Sequence, residues 1–113
     1  MKPRDAASLL DILKAARLAL EFVKDMSQAE FTSDLKTQSA VLYQIAILGE
    51  AVKRLSPEFR NEYPNLPWSA IAGMRDKLIH DYEGVDIQRV WLTLQANLPE
   101  FIQSLEPLMD DPN

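Results

Sequence analysis

Arg75, His80 and Tyr82 fall together in the stretch Arg75-Asp-Lys-Leu-Ile-His80-Asp-Tyr82, and His80 is the only histidine in the 113-residue chain. These residue types suit cleavage of an RNA phosphodiester. That reaction takes a proton from the ribose 2′-hydroxyl and gives one to the departing 5′-oxygen. An imidazole titrates near neutrality and can do either. Negative charge grows on the phosphate oxygens in the transition state, and an arginine offers a fixed fork of donors to meet it. The scheme requires no metal. The acids of the chain are scattered over helix faces and present no obvious metal constellation.

The spacing limits how the group can act. At about 100° per residue, Arg75 and Tyr82 point nearly the same way on a continuous helix, whereas His80 lies roughly 140° from Arg75. Convergence on one phosphate therefore needs a frayed helix end after Ile79, a long reach by the arginine, or a second subunit. Glu50 is the second candidate. Its functional reading is to orient Arg75 or His80 from a neighbouring helix. Its spacing alone favours a pair with Arg54 at i,i+4 or Lys53 at i,i+3.

A purely structural reading of the same residues stands beside this one. A histidine in a last helical turn can meet exposed carbonyls and the helix dipole. Asp76, four residues before His80, can pair with it on the surface. Arg75 would then be a salt-bridge residue and Tyr82 a core aromatic. Trp68 and Trp91 could stack on bases, but their helical spacing places them in the core. Lys53, Arg54 and Arg60 form the most basic stretch, which is either a weak phosphate-steering patch or a solvated face.

The composition excludes several other chemistries. The chain has no cysteine, so disulfides, thiolate zinc sites and cysteine nucleophiles are absent. Three glycines cannot make a glycine-rich phosphate loop or a dinucleotide fingerprint. A net charge of −5 argues against bulk electrostatic capture of nucleic acid but leaves room for a local basic site. No apolar run is long enough to span a bilayer, and the charged N-terminal stretch lacks the apolar core of a signal peptide. The expectation is a soluble, cytoplasmic protein with no cofactor, folded as one domain over residues 1–113.

Four amphipathic helices must position these residues. The first runs from Asp5, its expected cap, to about Met26, with a stripe of Leu9, Leu13, Ala16, Leu20 and Val23 widened by Leu10, Ile12 and Phe22. A connector at 27–32 has room for one helical turn. A second helix begins at Ser33-Asp34, with the hydroxyl as cap and the acid in the first turn, and ends near Leu55. Its stripe is Val41, Ile45, Leu48, Val52 and Leu55. Leu42, Tyr43, Ala46 and Ile47 make it apolar on most sides, which suits burial against another subunit as well. A proline-punctuated link, with a helical turn over 58–63, leads to Pro67 in the first turn of a third helix. That helix ends near His80, frays over 81–84, and faces inward with Trp68, Ile71, Met74 and Leu78. Asp86 caps a fourth helix, Ile87 to about Leu108, which Pro99 kinks or divides. The tail from Met109 is acidic and loose. The default architecture is an all-α, antiparallel four-helix bundle with short extra helical turns.

At the motif the chain resembles the HepT-like ribonuclease toxins of the HEPN superfamily. The resemblance rests on Arg-x4-His-x-Tyr, matched by Arg75, His80 and Tyr82, and on its surroundings. These are Pro67-Trp68, Ile71, Met74-Arg75-Asp76-Lys77-Leu78-Ile79-His80-Asp81-Tyr82, Val85-Asp86 and Val90-Trp91, with Gly49-Glu50-Ala51-Val52-Lys53 in the second helix. The helix order is matched over nearly the whole chain. The resemblance implies a small HEPN-like homodimer that places two motifs in a cleft between protomers and cuts RNA without a metal. It implies a type VII toxin–antitoxin system, in which a cognate minimal nucleotidyltransferase antitoxin transfers AMP to Tyr82. Arg75 and His80 would be catalytic, with Tyr82 and Glu50 positioning substrate. An added AMP would put a bulky anion where the RNA phosphate should bind. The alternative is a non-catalytic helical dimer that binds a nucleotidyltransferase partner or a nucleotide. With one imidazole per protomer, a working nuclease should be a dimer.

Overall fold

In the computed structural model, which describes residues 1–109, the first helix α1 (Pro3–Phe22) starts from a proline in its first turn. There the missing amide proton costs nothing. Its stripe of Leu9, Ile12, Leu13, Ala16 and Ala19 is buried. Leu10 and Phe22 point outward instead of widening that surface. The helix ends earlier than the periodicity predicts: the amides of Val23 and Lys24 bond three residues back, and Asp25 adopts a left-handed φ of 63°. Aspartate tolerates that conformation better than most residues.

Asp5 does not cap its own helix. It is 2% exposed, and its two oxygens accept from Ser56 N and Ser56 Oγ, each at 2.7 Å. Ser56 in turn caps the short helix α4 (Pro57–Glu62), accepting from Phe59 N at 3.1 Å. A buried carboxylate requires partners, and Asp5 finds them on a distant part of the chain. The expected cap is thus a tertiary fastener.

The helical turn of the connector is α2 (Gln28–Thr32), closed by a reciprocal capping box between Ser27 and Glu30. Helix α3 (Leu35–Arg54) is capped by Asp34, not Ser33: the Asp34 carboxylate accepts from Thr37 N and Thr37 Oγ1. The Thr37 hydroxyl is the main reason that the Asp34 carboxyl titrates below its ordinary range. The Ser33 hydroxyl bonds back into α2. Buried Gln38 donates to the carbonyls of Phe31 and Thr32, satisfying the end of α2.

Helix α5 (Trp68–His80) is anchored at its start by Trp68. The indole packs near Phe59 and edge-on to Phe101, and its Nε1 donates to Tyr63 O at 3.0 Å. Both tryptophans are buried, as their spacing predicts. A 3₁₀ turn (Tyr82–Gly84) leads to α6 (Ile87–Leu92), capped by Asp86. A π-helical turn (Thr93–Asn97) then passes into α7 (Leu98–Met109). The expected fourth helix is thus interrupted near Pro99, by a π-helical turn that ends two residues before the proline. The widened turn lies across the carbonyls that a proline ring would crowd.

The fold is all-helical, with no strand among the described residues. α3 packs against both α1 and α5, and α1 also packs against α7. Among the described residues, no helix is long and apolar enough to cross a membrane. The expectation of a loose tail concerned Met109 onward. Met109 ends α7, and residues 110–113 lie outside the described residues.

Candidate active site at the end of α5

The distinctive chemistry of the motif begins with how closely α5 approaches α3. Gly49 of α3 is buried, and a Cβ placed on it would sit 2.1 Å from Arg75 Cβ and 2.8 Å from Arg75 Cγ. Only a glycine lets the two helices meet there. Arg75 consequently lies flat against α3, with its side chain 23% exposed.

Its guanidinium is held at both prongs. Nη2 lies 3.0 Å from Glu50 Oε2, and Nη1 donates to Asp76 Oδ1 at 3.0 Å. Lys53 Nζ donates to the same Asp76 oxygen at 2.9 Å. That lysine, and secondarily Arg75, holds the Asp76 carboxyl below the usual aspartate range. Glu50, Lys53, Arg75 and Asp76 make a neutral set of two cations and two carboxylates. Two expectations change accordingly. Glu50 reaches Arg75 across the helix interface rather than pairing along its own helix. Asp76 pairs with Lys53 and Arg75, not with His80, because the carboxylate faces α3 (two cations against one exposed imidazole).

A cavity of about 240 Å³ opens beside Glu50 and Arg75 and is lined also by Ala46, Ile47, Arg54 and Ile79. His80 and Tyr82 do not line it. His80 is the exposed last residue of α5 and makes no side-chain hydrogen bond or ion pair with the described residues. The structure thus keeps Arg75 and His80 of one chain apart, as the helical angle requires. Tyr82, 55% exposed, stands beyond the helix end. Asp81 takes φ −148°, ψ 64°, and its carboxylate accepts from Gly84 N, which closes the 3₁₀ turn. A Cβ on Gly84 would collide with that carboxylate at 2.1 Å. Because α5 stops at His80, the shared direction of Arg75 and Tyr82 on an unbroken helix does not apply.

The basic stretch is mostly held in ion pairs, although Arg54 also lines the Arg75 cavity. Lys53 serves Asp76, and Arg54 pairs with Asp11 at 3.3 Å. Arg60 lines a separate cavity of about 460 Å³ at the start of α5, away from the motif. Among the described residues, no group of three or more histidine or acidic side chains could hold a metal ion. Sequence reasoning singled out Glu50 but assigned no role to Gly49, and none to Asp76 beyond a surface pair with His80. The available signal was a glycine inside an apolar helix, where it costs about 1 kcal/mol relative to alanine and so needs a packing reason.

Comparison with known proteins places this geometry in a family context. The family profile described as ribonuclease HepT-like matches residues 12–108. A "putative RNase" of Methanocaldococcus jannaschii is 40% identical over 93% of the chain and 87% of its own length. A "probable ribonuclease HepT" of Thermococcus cleftensis is 39% identical over 96% of the chain and 98% of its own length. No solved structure gives a significant match.

Proposed function

The chain belongs to the HepT-like ribonuclease family, and from that premise we propose that it is the toxin of a type VII toxin–antitoxin system. In this reading it cuts RNA in the cytoplasm without a metal, as an HEPN-like homodimer built from antiparallel four-helix bundles. The observation that supports it is the arginine of the motif, held between Glu50 and Asp76 at the rim of an open cavity, on the same helix as an exposed His80 at its last position. One protomer keeps these two groups apart. Two protomers bring a second Arg75 and a second His80 to one cleft.

The chemistry is a transesterification. The ribose 2′-oxygen attacks phosphorus and loses its proton to a neutral His80 imidazole. The bond to the 5′-oxygen breaks, and that oxygen takes a proton from a second, protonated His80. The products are a 2′,3′-cyclic phosphate and a 5′-hydroxyl. Arg75 meets the charge on the non-bridging oxygens. Glu50 holds Arg75 in place, and Tyr82 positions substrate. Neutralisation is AMP transfer by a cognate minimal nucleotidyltransferase: the Tyr82 phenol attacks the α-phosphorus of ATP, loses its proton and releases pyrophosphate.

The test uses purified protein and labelled RNA, with and without chelator. Cleavage persists in chelator and falls by roughly 10²–10⁴-fold in His80→Ala. A folded His80→Ala protein that cuts normally removes His80 from the mechanism. Binding of a nucleotidyltransferase or nucleotide without any cleavage favours the non-catalytic dimer instead. For the modification, protein incubated with the transferase and ATP is weighed intact. AMP adducts that survive Tyr82→Phe sink the assignment to Tyr82.

A further inference from the structure

We propose that the Gly49–Lys53 segment of α3 is the positioning device for Arg75, with Gly49 setting where its side chain leaves α5 and Lys53 fixing its second prong through Asp76. The inference rests on the reading of Arg75 as the phosphate-binding group. Gly49 sits in the interior of a 20-residue helix and carries no positive φ. Conformational freedom is therefore not its purpose. The atoms that a Cβ would strike are Arg75 Cβ, Arg75 Cγ and, at 3.3 Å, Ile71 O. The nearest of these belongs to the first side-chain carbon of Arg75, which moves only with the α5 backbone. A flexible side-chain tip could yield; this atom cannot. Any side chain at position 49 thus displaces α5 at the residue that should meet the phosphate.

The next contacts on the same face complete the grip. Glu50 holds Nη2, and Lys53 holds Asp76, which holds Nη1. Lys53 and Arg75 are both cations and meet at the same Asp76 oxygen, so the hold of Lys53 passes through that carboxylate. Arg75 is fixed at its root by a missing side chain and at its tip by two carboxylates, one of which is itself tethered. A phosphate-binding group displaced by about 1 Å can lose on the order of 10²-fold in rate, so such a grip matters to catalysis.

Gly49→Ala tests the root. Its kcat on RNA should fall by about 10–100-fold with KM changed far less. In an Arg75→Gly background, which removes the Cβ that a side chain at position 49 would strike, Gly49→Ala should leave the residual rate unaltered. A folded Gly49→Ala enzyme with wild-type kcat overturns the proposal, as does an equal fractional loss in both backgrounds. Lys53→Ala tests the tip at a half-exposed site whose loss leaves the core intact. It should lower kcat, and Lys53→Arg should restore it; wild-type kcat in Lys53→Ala refutes the tether. If the wild-type chain cuts no RNA, the nuclease reading fails, and the contact is read from thermal melting. Gly49→Ala should lower Tm strongly alone and much less when combined with Arg75→Gly. Additive Tm shifts then overturn the positioning claim by themselves.

Discussion

Asp5 shows how a single residue changes meaning between chain and fold. Its place ahead of the Leu9 stripe suits an N-cap, yet it is the third residue of α1, and its enclosed carboxylate holds the backbone and hydroxyl of Ser56. Ser56 then caps α4, and α4 carries Phe59 against Trp68, the first residue of the motif helix. A buried acceptor removed from its donors leaves them unsatisfied, at a cost of about 1–3 kcal/mol. Asp5→Ala should therefore lower the unfolding free energy by about that amount in chemical denaturation. A value within experimental error of wild type contradicts the fastener role. Asp76 changes meaning in the same way: four residues from His80 on paper, it is claimed by Lys53 and Arg75 in space.

At the scale of helices, the pairing of α3 with α5 governs the site. Gly49 permits the approach, and the Lys53–Asp76 pair ties the two elements at their exposed margin. The Asp76 carboxyl titrates below the ordinary aspartate value of 3.8, chiefly because Lys53 donates to it. A depressed acid contributes stability that is present above its unfolded value and lost as pH falls through its folded value. The tie should therefore weaken only in acid, below 3.8. Melting curves from pH 6 to about pH 2 should show a steeper acid loss for wild type than for Lys53→Met. Parallel pH profiles remove this pair from the acid response. The ends of elements were partly legible: Asp86 and the 27–32 turn follow their local signals, and α5 stops at His80 as the pattern suggests. Pro99 signalled an interruption but not its form, a π-helical turn ahead of the proline, which depends on packing between elements.

For the molecule as a whole, the proposed dimer makes a distinct claim. Tyr43 is 65% exposed and Ile79 53% exposed, although both are large and apolar. Ile79 borders the Arg75 cavity, as do Ala46 and Ile47, one turn along α3 from Tyr43. A second copy seated on this face would cover them and bring its own His80 near. Tyr43→Asp, two turns along α3 from Glu50, should shift sedimentation from two protomers toward one. RNA cleavage should fall in proportion to the dimer remaining. A variant that is monomeric at assay concentration and still cuts at the wild-type rate refutes the shared cleft.

The amino-acid order by itself determined the helical class, the buried stripes of α1 and α3, the enclosed tryptophans and the candidate trio Arg75, His80 and Tyr82. All of these follow from periodicity and residue type, which act over a few neighbouring residues. Only the tertiary structure decided that Glu50 grips Arg75, that Lys53 and Asp76 complete the hold, that Asp5 reaches Ser56, and that His80 stands outside the Arg75 cavity. Each of those contacts spans two elements. It depends on the distance and rotation at which helices settle, and a helix interior reveals neither until its packing partner, here admitted by the bare backbone of Gly49, is in place.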